Sequence, residues 1–193
     1  MSGIVDDLLE AMSRSAAHRY GGEAVSELDH ALQCAELAAT GGADEELVLA
    51  CLLHDVGRYF VDQSLVADTT EAIVVSGQRG HHAVGRDVIA PWVPPRVAWC
   101  VGAHADAKRY LCAIEPAYYE RLSAVSRRTL VLQGGVMSAA ETETFVGEPW
   151  AADAVALRRW DDEAKVAGKP TPGLAAWEPL MRRYFAATPR HPR

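Results

Sequence analysis

No two cysteines of this chain stand close enough to make a Cys-x-x-Cys pair. Cys34, Cys51, Cys100 and Cys112 are scattered through apolar, helix-like stretches. That argues against a zinc ribbon and a disulfide framework, and favours free buried thiols of the kind a reducing compartment maintains. Positive charge is also in short supply, with 19 Lys and Arg against 26 Asp and Glu and a formal net charge of -7. A nucleic-acid footprint and a membrane-surface patch are disfavoured on that ground, although a local basic pocket is not. No apolar run approaches the length of a membrane span. The opening residues, Met1-Ser-Gly-Ile-Val-Asp-Asp, lack the basic and apolar regions of a signal peptide. The expectation is a cytoplasmic protein with no nucleic-acid or membrane partner, its oligomeric state open and a homo-oligomer included. Strand-like alternation of apolar and polar residues is almost absent as well.

Helical periodicity is what the chain does have. At 193 residues, 49% hydrophobic and 23% charged, it fits one soluble domain, 1–193, with a sizeable core. Ile4 to about His18 reads as a first helix that Gly21-Gly22 breaks. Ser26 or Asp29 begins a second, with Leu28, Leu32, Ala35 and Ala38 on one face, His30 close to it, and Gly41-Gly42 at its end. The third runs from an Asp44 cap through Leu47-Val-Leu-Ala-Cys-Leu-Leu53 and stops on His54-Asp-Val-Gly57. A helix this apolar must be buried on most faces, which carries His54 and Asp55 toward the interior. From Arg58 to Gly80 the pattern weakens to a long loop or frayed helix. His81-His82 opens a short helix that Pro91 ends, and Pro94-Pro95 starts another through His104, with Ala107 to Ile114 continuing it. Further helices are expected from Pro116 to about Leu122, Ser126 to Gln133, from the Ser138/Glu141 capping box, Ala151 to Lys165 and Leu174 to Ala187. The fold class expected is all-α.

Candidate metal ligands come from separate helices: His30, the adjacent pair His54 and Asp55, His81, His104 and Asp161. A helical bundle converges such side chains on one point of its core. Imidazole and carboxylate without thiolate suit iron, manganese or zinc. Six ligands exceed what one ion with an open position needs and suit two ions, with Asp55 as the bridge. His82 stands as an equal candidate beside His81, and Asp162 beside Asp161; His18 and His191 are left to solvent. His54 has the rival reading of a cap on helix carbonyls.

The order H…HD…H…H…D resembles the HD-domain superfamily. Most members of that superfamily are phosphohydrolases acting on nucleotides, and a minority are oxygenases with two irons. In the second half, His104-Ala-Asp-Ala-Lys-Arg-Tyr-Leu-Cys112, Pro116-Ala-Tyr-Tyr, Leu122-Ser, Ser126-x-x-Thr-Leu130, Gln133-Gly-Gly and Leu157-Arg-Arg-Trp-Asp-Asp-x-x-Lys165 look like the phosphonate-degrading HD oxygenases of the PhnZ type. The resemblance spans about Tyr20 to Lys165. It implies an HD-domain helical bundle with its core at about 20–165 and a C-terminal helix at 174–187. It implies an Fe(II)/Fe(III) pair held by the six residues, with Asp55 bridging, and O2 as co-substrate. The implied reaction is cleavage of the C–P bond of a small 1-hydroxyphosphonate such as (R)-2-amino-1-hydroxyethylphosphonate, giving glycine, or an N-substituted analogue, and phosphate.

A phosphonate dianion needs cations and hydroxyl donors. Lys108 follows His104 by one helical turn, Ser126 and Thr129 share a face, and Arg158 precedes Asp161 by three residues. By the resemblance, Lys108, Ser126, Thr129 and Arg158 hold the phosphonate. Tyr20 and Glu23 match a Tyr-x-x-Glu in which the tyrosine ligates iron until substrate displaces it and the glutamate meets the substrate ammonium. The rival readings are solvated surface charges for Lys108 and Arg158, helix caps for Ser126 and Thr129, and an exposed loop for Tyr20 and Glu23. Arg58 departs from the family, whose close members carry a second histidine there; it either adds a phosphonate contact or faces solvent. The segment from Tyr59 to Gly80 matches poorly. Two other readings stand beside the oxygenase: a metal-dependent phosphohydrolase acting on a nucleotide or phosphate monoester, and a non-catalytic HD sensor.

Overall fold

The computed structural model describes residues 3–60 and 80–187. Ten α-helices make up most of them: α1 (Ile4–Ser15), α2 (Glu27–Thr40), α3 (Glu45–Leu53), α4 (His81–Ile89), α5 (Pro95–Ile114), α6 (Pro116–Arg121), α7 (Ala124–Leu132), α8 (Ala139–Val146), α9 (Ala151–Glu163) and α10 (Leu174–Ala187). A short 3-10 turn, Val56–Phe60, follows α3. No strand occurs among the described residues, only a lone bridge between Arg19 and Ser26. No described helix is long and apolar enough to cross a membrane.

Local capping starts most helices where the sequence places them. Ser26 accepts from the Asp29 N–H, Asp44 from Leu47, and Ser138 and Glu141 close the capping box. Three boundaries differ. α1 stops at Ser15 rather than near His18, because the chain turns there to let the His18 carbonyl accept from Glu27 N–H. α7 begins at Ala124, and its cap is Ser123, not Ser126. α9 stops at Glu163 rather than Lys165, and the Ala164 carbonyl lies against His30. The expected loop beyond Phe60 lies outside the described residues until Gly80.

Residues 47 to 53 of α3 are all buried, as an all-apolar helix requires. Around it pack α2, α5 and α9, and α5 packs in turn on α4 and α9. Gly57 and Gly85 decide how α4 is seated. A Cβ on Gly57 would lie 2.0 Å from the His81 carbonyl oxygen and 2.6 Å from Gly85 N. Only a side-chain-free backbone lets the turn after Asp55 lie directly on α4, and that approach delivers His81 to Asp55. Nearly all the buried polar side chains then gather at one end of this packing: Glu27, His30, Gln33, His54, Asp55, His104, Lys108, Ser126, Arg158 and Asp161.

Candidate metal centre and active site

His30 and His54 point their Nε2 atoms at each other across 3.1 Å. His30 Nδ1 lies 2.8 Å from the Ala164 carbonyl, and His54 Nδ1 2.8 Å from that of Cys51. Each imidazole therefore donates through Nδ1, and two Nε2 lone pairs face one another. That arrangement is repulsive unless a proton or a metal cation lies between them. Asp161 Oδ1 joins this pair at 3.3 Å from His30 Nε2. The same geometry recurs beside it. His81 and His104 bring their Nε2 atoms to 3.3 Å, with His104 Nδ1 on the Val101 carbonyl at 2.7 Å.

Asp55 stands between the two groups. Its Oδ1 lies 2.9 Å from His81 Nε2 and 3.7 Å from His104 Nε2, while its Oδ2 lies 3.6 Å from His54 Nε2 and 4.0 Å from His30 Nε2. Two donor trios result, His30/His54/Asp161 and Asp55/His81/His104. Both oxygens of Asp55 and Oδ1 of Asp161 are buried without a hydrogen-bond partner. Orphaned carboxylate oxygens in such a place are costly, and they fit bound cations. Burial also lowers the pKa of His30 and, further, of His104, keeping both imidazoles neutral. Burial alone would push Asp55 up, but His54, His81 and Arg58 hold it well below the usual carboxylate range. Arg158 and Lys165 do the same for Asp161 against the same cost of burial. For His30, His104 and the two carboxylates these are the states a metal ion requires of its ligands, whereas His54, against the cost of burial, is drawn up to about 10 by the Asp55 carboxylate and must give up a proton to bind one.

His82 and Asp162 fall outside both trios. His82 lies against the His81 and His104 rings, and Asp162 takes hydrogen bonds from Tyr118 and Arg158. His18 is exposed, and His191 is outside the described residues.

A small cavity opens beside the trios, lined among others by Tyr20, Glu23, Arg58, Lys108, Ser126, Thr129, Arg158 and Asp161. Its volume of about 30 Å³ is open to water centres, which is room for two or three waters. Lys108 and Arg158 are not solvated surface charges; they are 2% and 4% exposed. Lys108 Nζ donates to Thr129 Oγ1 at 2.7 Å and to the Ser126 carbonyl at 3.4 Å. Burial, reinforced by the Arg158 charge, brings its pKa down to about 7. Arg158 donates through Nε to Tyr118 Oη at 3.0 Å and through Nη1 to Asp161 Oδ2 at 2.5 Å, and it also bonds Asp162. One N–H on each Nη is left over from these bonds. Tyr20 stacks on His30, with ring centroids 3.7 Å apart, and burial holds its phenol well above the ordinary value of 10. Tyr20 and Glu23 are half-buried, not an exposed loop.

A family model for the HD domain matches residues 28–133. The hydroxymethylphosphonate dioxygenase of Gimesia maris is 39% identical over 170 residues, covering 88% of this chain and 82% of that protein. The chain belongs to the HD-domain family and is an oxygenase of the PhnZ type. A second relative of this oxygenase, from Leisingera caerulea, is the glycine-betaine-forming 1-hydroxy-2-(trimethylamino)ethylphosphonate dioxygenase. It is 35% identical over 181 residues, 93% of this chain and 89% of the relative. An uncharacterised protein of Acanthamoeba polyphaga mimivirus is 30% identical over 185 residues, 94% of this chain and 82% of its own.

Sequence reasoning missed three residues of this oxygenase's site. Glu27 accepts two hydrogen bonds from Arg58, Gln33 pairs with the Val166 backbone, and Tyr118 braces Arg158. Glu27 and Gln33 each lie three residues from His30 on α2, and that spacing was the available signal.

Proposed function

We propose that the oxygenase cleaves the C–P bond of a small 1-hydroxyphosphonate with O2, releasing phosphate and a carboxylic acid. For (R)-2-amino-1-hydroxyethylphosphonate the acid is glycine: substrate plus O2 balances glycine plus phosphoric acid, one oxygen atom going to each. The observation that carries this reading is the juxtaposition of two donor trios across Asp55 with a cavity walled by Lys108, Ser126, Thr129 and Arg158. The relatives' names support it, since both denote dioxygenases of phosphonates with a hydroxyl on the carbon bearing phosphorus.

His30, His54 and Asp161 would hold one iron and His81 and His104 the other, with Asp55 available to both. Bound as an Fe(II)/Fe(III) pair, iron would supply the activation of O2, and the substrate itself would supply the electrons. The rest falls to side chains. Lys108 and the spare N–H groups of Arg158 receive the phosphonate oxygens, with the Ser126 and Thr129 hydroxyls beside them. Val125 and Ser126 lie in the first turn of α7, whose N-terminal end adds a favourable field for an anion. Glu23 meets a substrate ammonium, and Tyr20, stacked on His30, walls the cavity beside it.

The alternative is a hydrolase acting on a nucleotide, which neither of the two named relatives is called. The test is purification without air, metal quantification, and O2 uptake with a panel of 1-hydroxyphosphonates. About two irons per chain with phosphate release that needs O2 supports the proposal. Phosphate release from a nucleotide without O2 establishes the hydrolase instead, and substoichiometric metal favours a sensor.

A further inference from the structure

Arg58 occupies the position where the sequence departs from the family it resembles, and it neither faces solvent nor hangs loose. Its side chain is 14% exposed. Its Nε and Nη2 both donate to Oε1 of Glu27, at 3.0 and 2.8 Å, and Glu27 is 4% exposed at the start of α2. The guanidinium lies over the Tyr20 ring, 4.9 Å from its centroid, while the ring also stacks on His30. Imidazole, phenol, guanidinium and carboxylate thus stand in series. Tyr20, Glu23 and Arg58 form a wall of the cavity on elements that carry none of Lys108, Ser126 and Thr129.

A surface arginine would swing aside for a bulky ligand. This one is held at two nitrogens by a buried carboxylate, and moving it breaks two charge-assisted hydrogen bonds in a poorly hydrated place. Its planar fork also keeps it over Tyr20. The wall is therefore stiff and the space inside it small. A primary ammonium still has N–H groups to offer Glu23. A trimethylammonium has none and is far wider.

Taking the proposed reaction as given, we propose that Arg58, locked by Glu27, sets the size limit for the substituent on C1 of the substrate. A hydrogen or an aminomethyl group is admitted, and a trimethylaminomethyl group is excluded. Arg58 is a specificity residue in this reading, and Glu27 is the residue that positions it.

The test uses iron-loaded enzyme and three compounds: hydroxymethylphosphonate, 2-amino-1-hydroxyethylphosphonate and its N-trimethyl analogue. Values of kcat/KM are measured in air, and Kd by calorimetry without air. Wild type should prefer the amino compound over the trimethyl compound by about 100-fold. Arg58→Ala and Arg58→His should each narrow that gap by about tenfold or more, through KM and Kd rather than kcat. Glu27→Gln, which keeps Arg58 but weakens its anchor, should narrow it in the same direction and serves if the Arg58 variants do not fold. A wild type that uses the trimethyl compound as well as the amino compound overturns the proposal. So does an unchanged gap in the folded variants. Turnover of none of the three compounds by the iron-loaded wild type overturns the reaction itself, which is a different failure.

Discussion

Nη1 of Arg158 stands 2.5 Å from Oδ2 of Asp161, while Oδ1 of the same carboxylate faces His30 Nε2 at 3.3 Å. One carboxylate is thus shared between an anchor and a donor trio. Lys108, by contrast, touches only Thr129 and the Ser126 carbonyl among its hydrogen-bond partners in the described residues. The two cations should therefore part company on substitution. Lys108→Ala is expected to weaken phosphonate binding by about 1.5–3 kcal/mol and leave the metal content intact. Arg158→Ala should lower both substrate affinity and metal content, because Asp161 loses its brace. Metal quantification and calorimetry on the same preparations check this; an Arg158→Ala protein with full metal would make Arg158 a substrate contact alone.

Asp55 offers one oxygen to each trio, so its loss should empty both. Asp55→Ala is expected to retain well under half of the wild-type metal and to lose activity with it. A fully active variant would defeat the bridging role.

Burial places the Lys108 pKa at about 7, below its ordinary 10.5. The free enzyme is then about half neutral there at pH 7, and a bound phosphonate dianion favours the charged form. Binding at pH 8 should draw in close to one proton, and affinity should fall by up to tenfold per pH unit above 7. The sign for stability is the reverse of a stabilising pair. The folded protein binds fewer protons than the unfolded chain between about 7 and 10.5, so the cost of burying Lys108 is complete below that window and is relieved as pH rises through it. Calorimetry in buffers of different ionisation enthalpy measures the uptake, and Lys108→Met should abolish it.

Gln33 donates from Nε2 to the Val166 carbonyl at 2.9 Å and accepts from Val166 N–H at 3.1 Å. With His30 Nδ1 on the Ala164 carbonyl, α2 grips the chain just beyond α9 at three points. Gln33→Leu leaves two backbone groups without these partners and should cost about 2–4 kcal/mol. It should also loosen the His30/His54/Asp161 trio, so that metal content falls toward one ion per chain. Denaturant unfolding and metal analysis together test the point; lost stability with both ions retained would reduce Gln33 to a purely structural clamp.

Chelation should destabilise the fold, since the ions offset the burial of Asp55 and Asp161. At free metal 100-fold above Kd the loss is about 2.7 kcal/mol, or several degrees in Tm. Thermal unfolding before and after chelation, with metal restored as the control, reads it directly. A Tm unmoved by complete metal removal would contradict the fit of cations to the two trios.

Much of the fold was legible because it rests on interactions a few residues long. The Asp44 cap, the Ser138/Glu141 box and the apolar run of α3 each act within one or two turns, and each appears where the residues indicated. The boundaries that slipped are those set from a distance. α9 ends early at Ala164, whose carbonyl lies against a histidine 134 residues away. α7 starts two residues before Ser126 because Ser123 caps it, a choice set by the path of the chain into the helix.

The site divides the same way. Residue order alone indicated the histidines and aspartates, because imidazole and carboxylate on apolar helices are rare enough to be noticed. It could not separate His81 from His82 or Asp161 from Asp162, since neighbours on a helix differ only in the face they present. The seating of α4 on Gly57 and Gly85 turned His81 toward Asp55, and the Arg158 brace did the same for Asp161. The fate of Arg58 was decided furthest from its own position, by a glutamate 31 residues earlier in the chain. Composition and periodicity determine which helices form and which side chains must be buried. Which of those side chains meet depends on how closely two backbones approach, and that distance is a property of the packed fold.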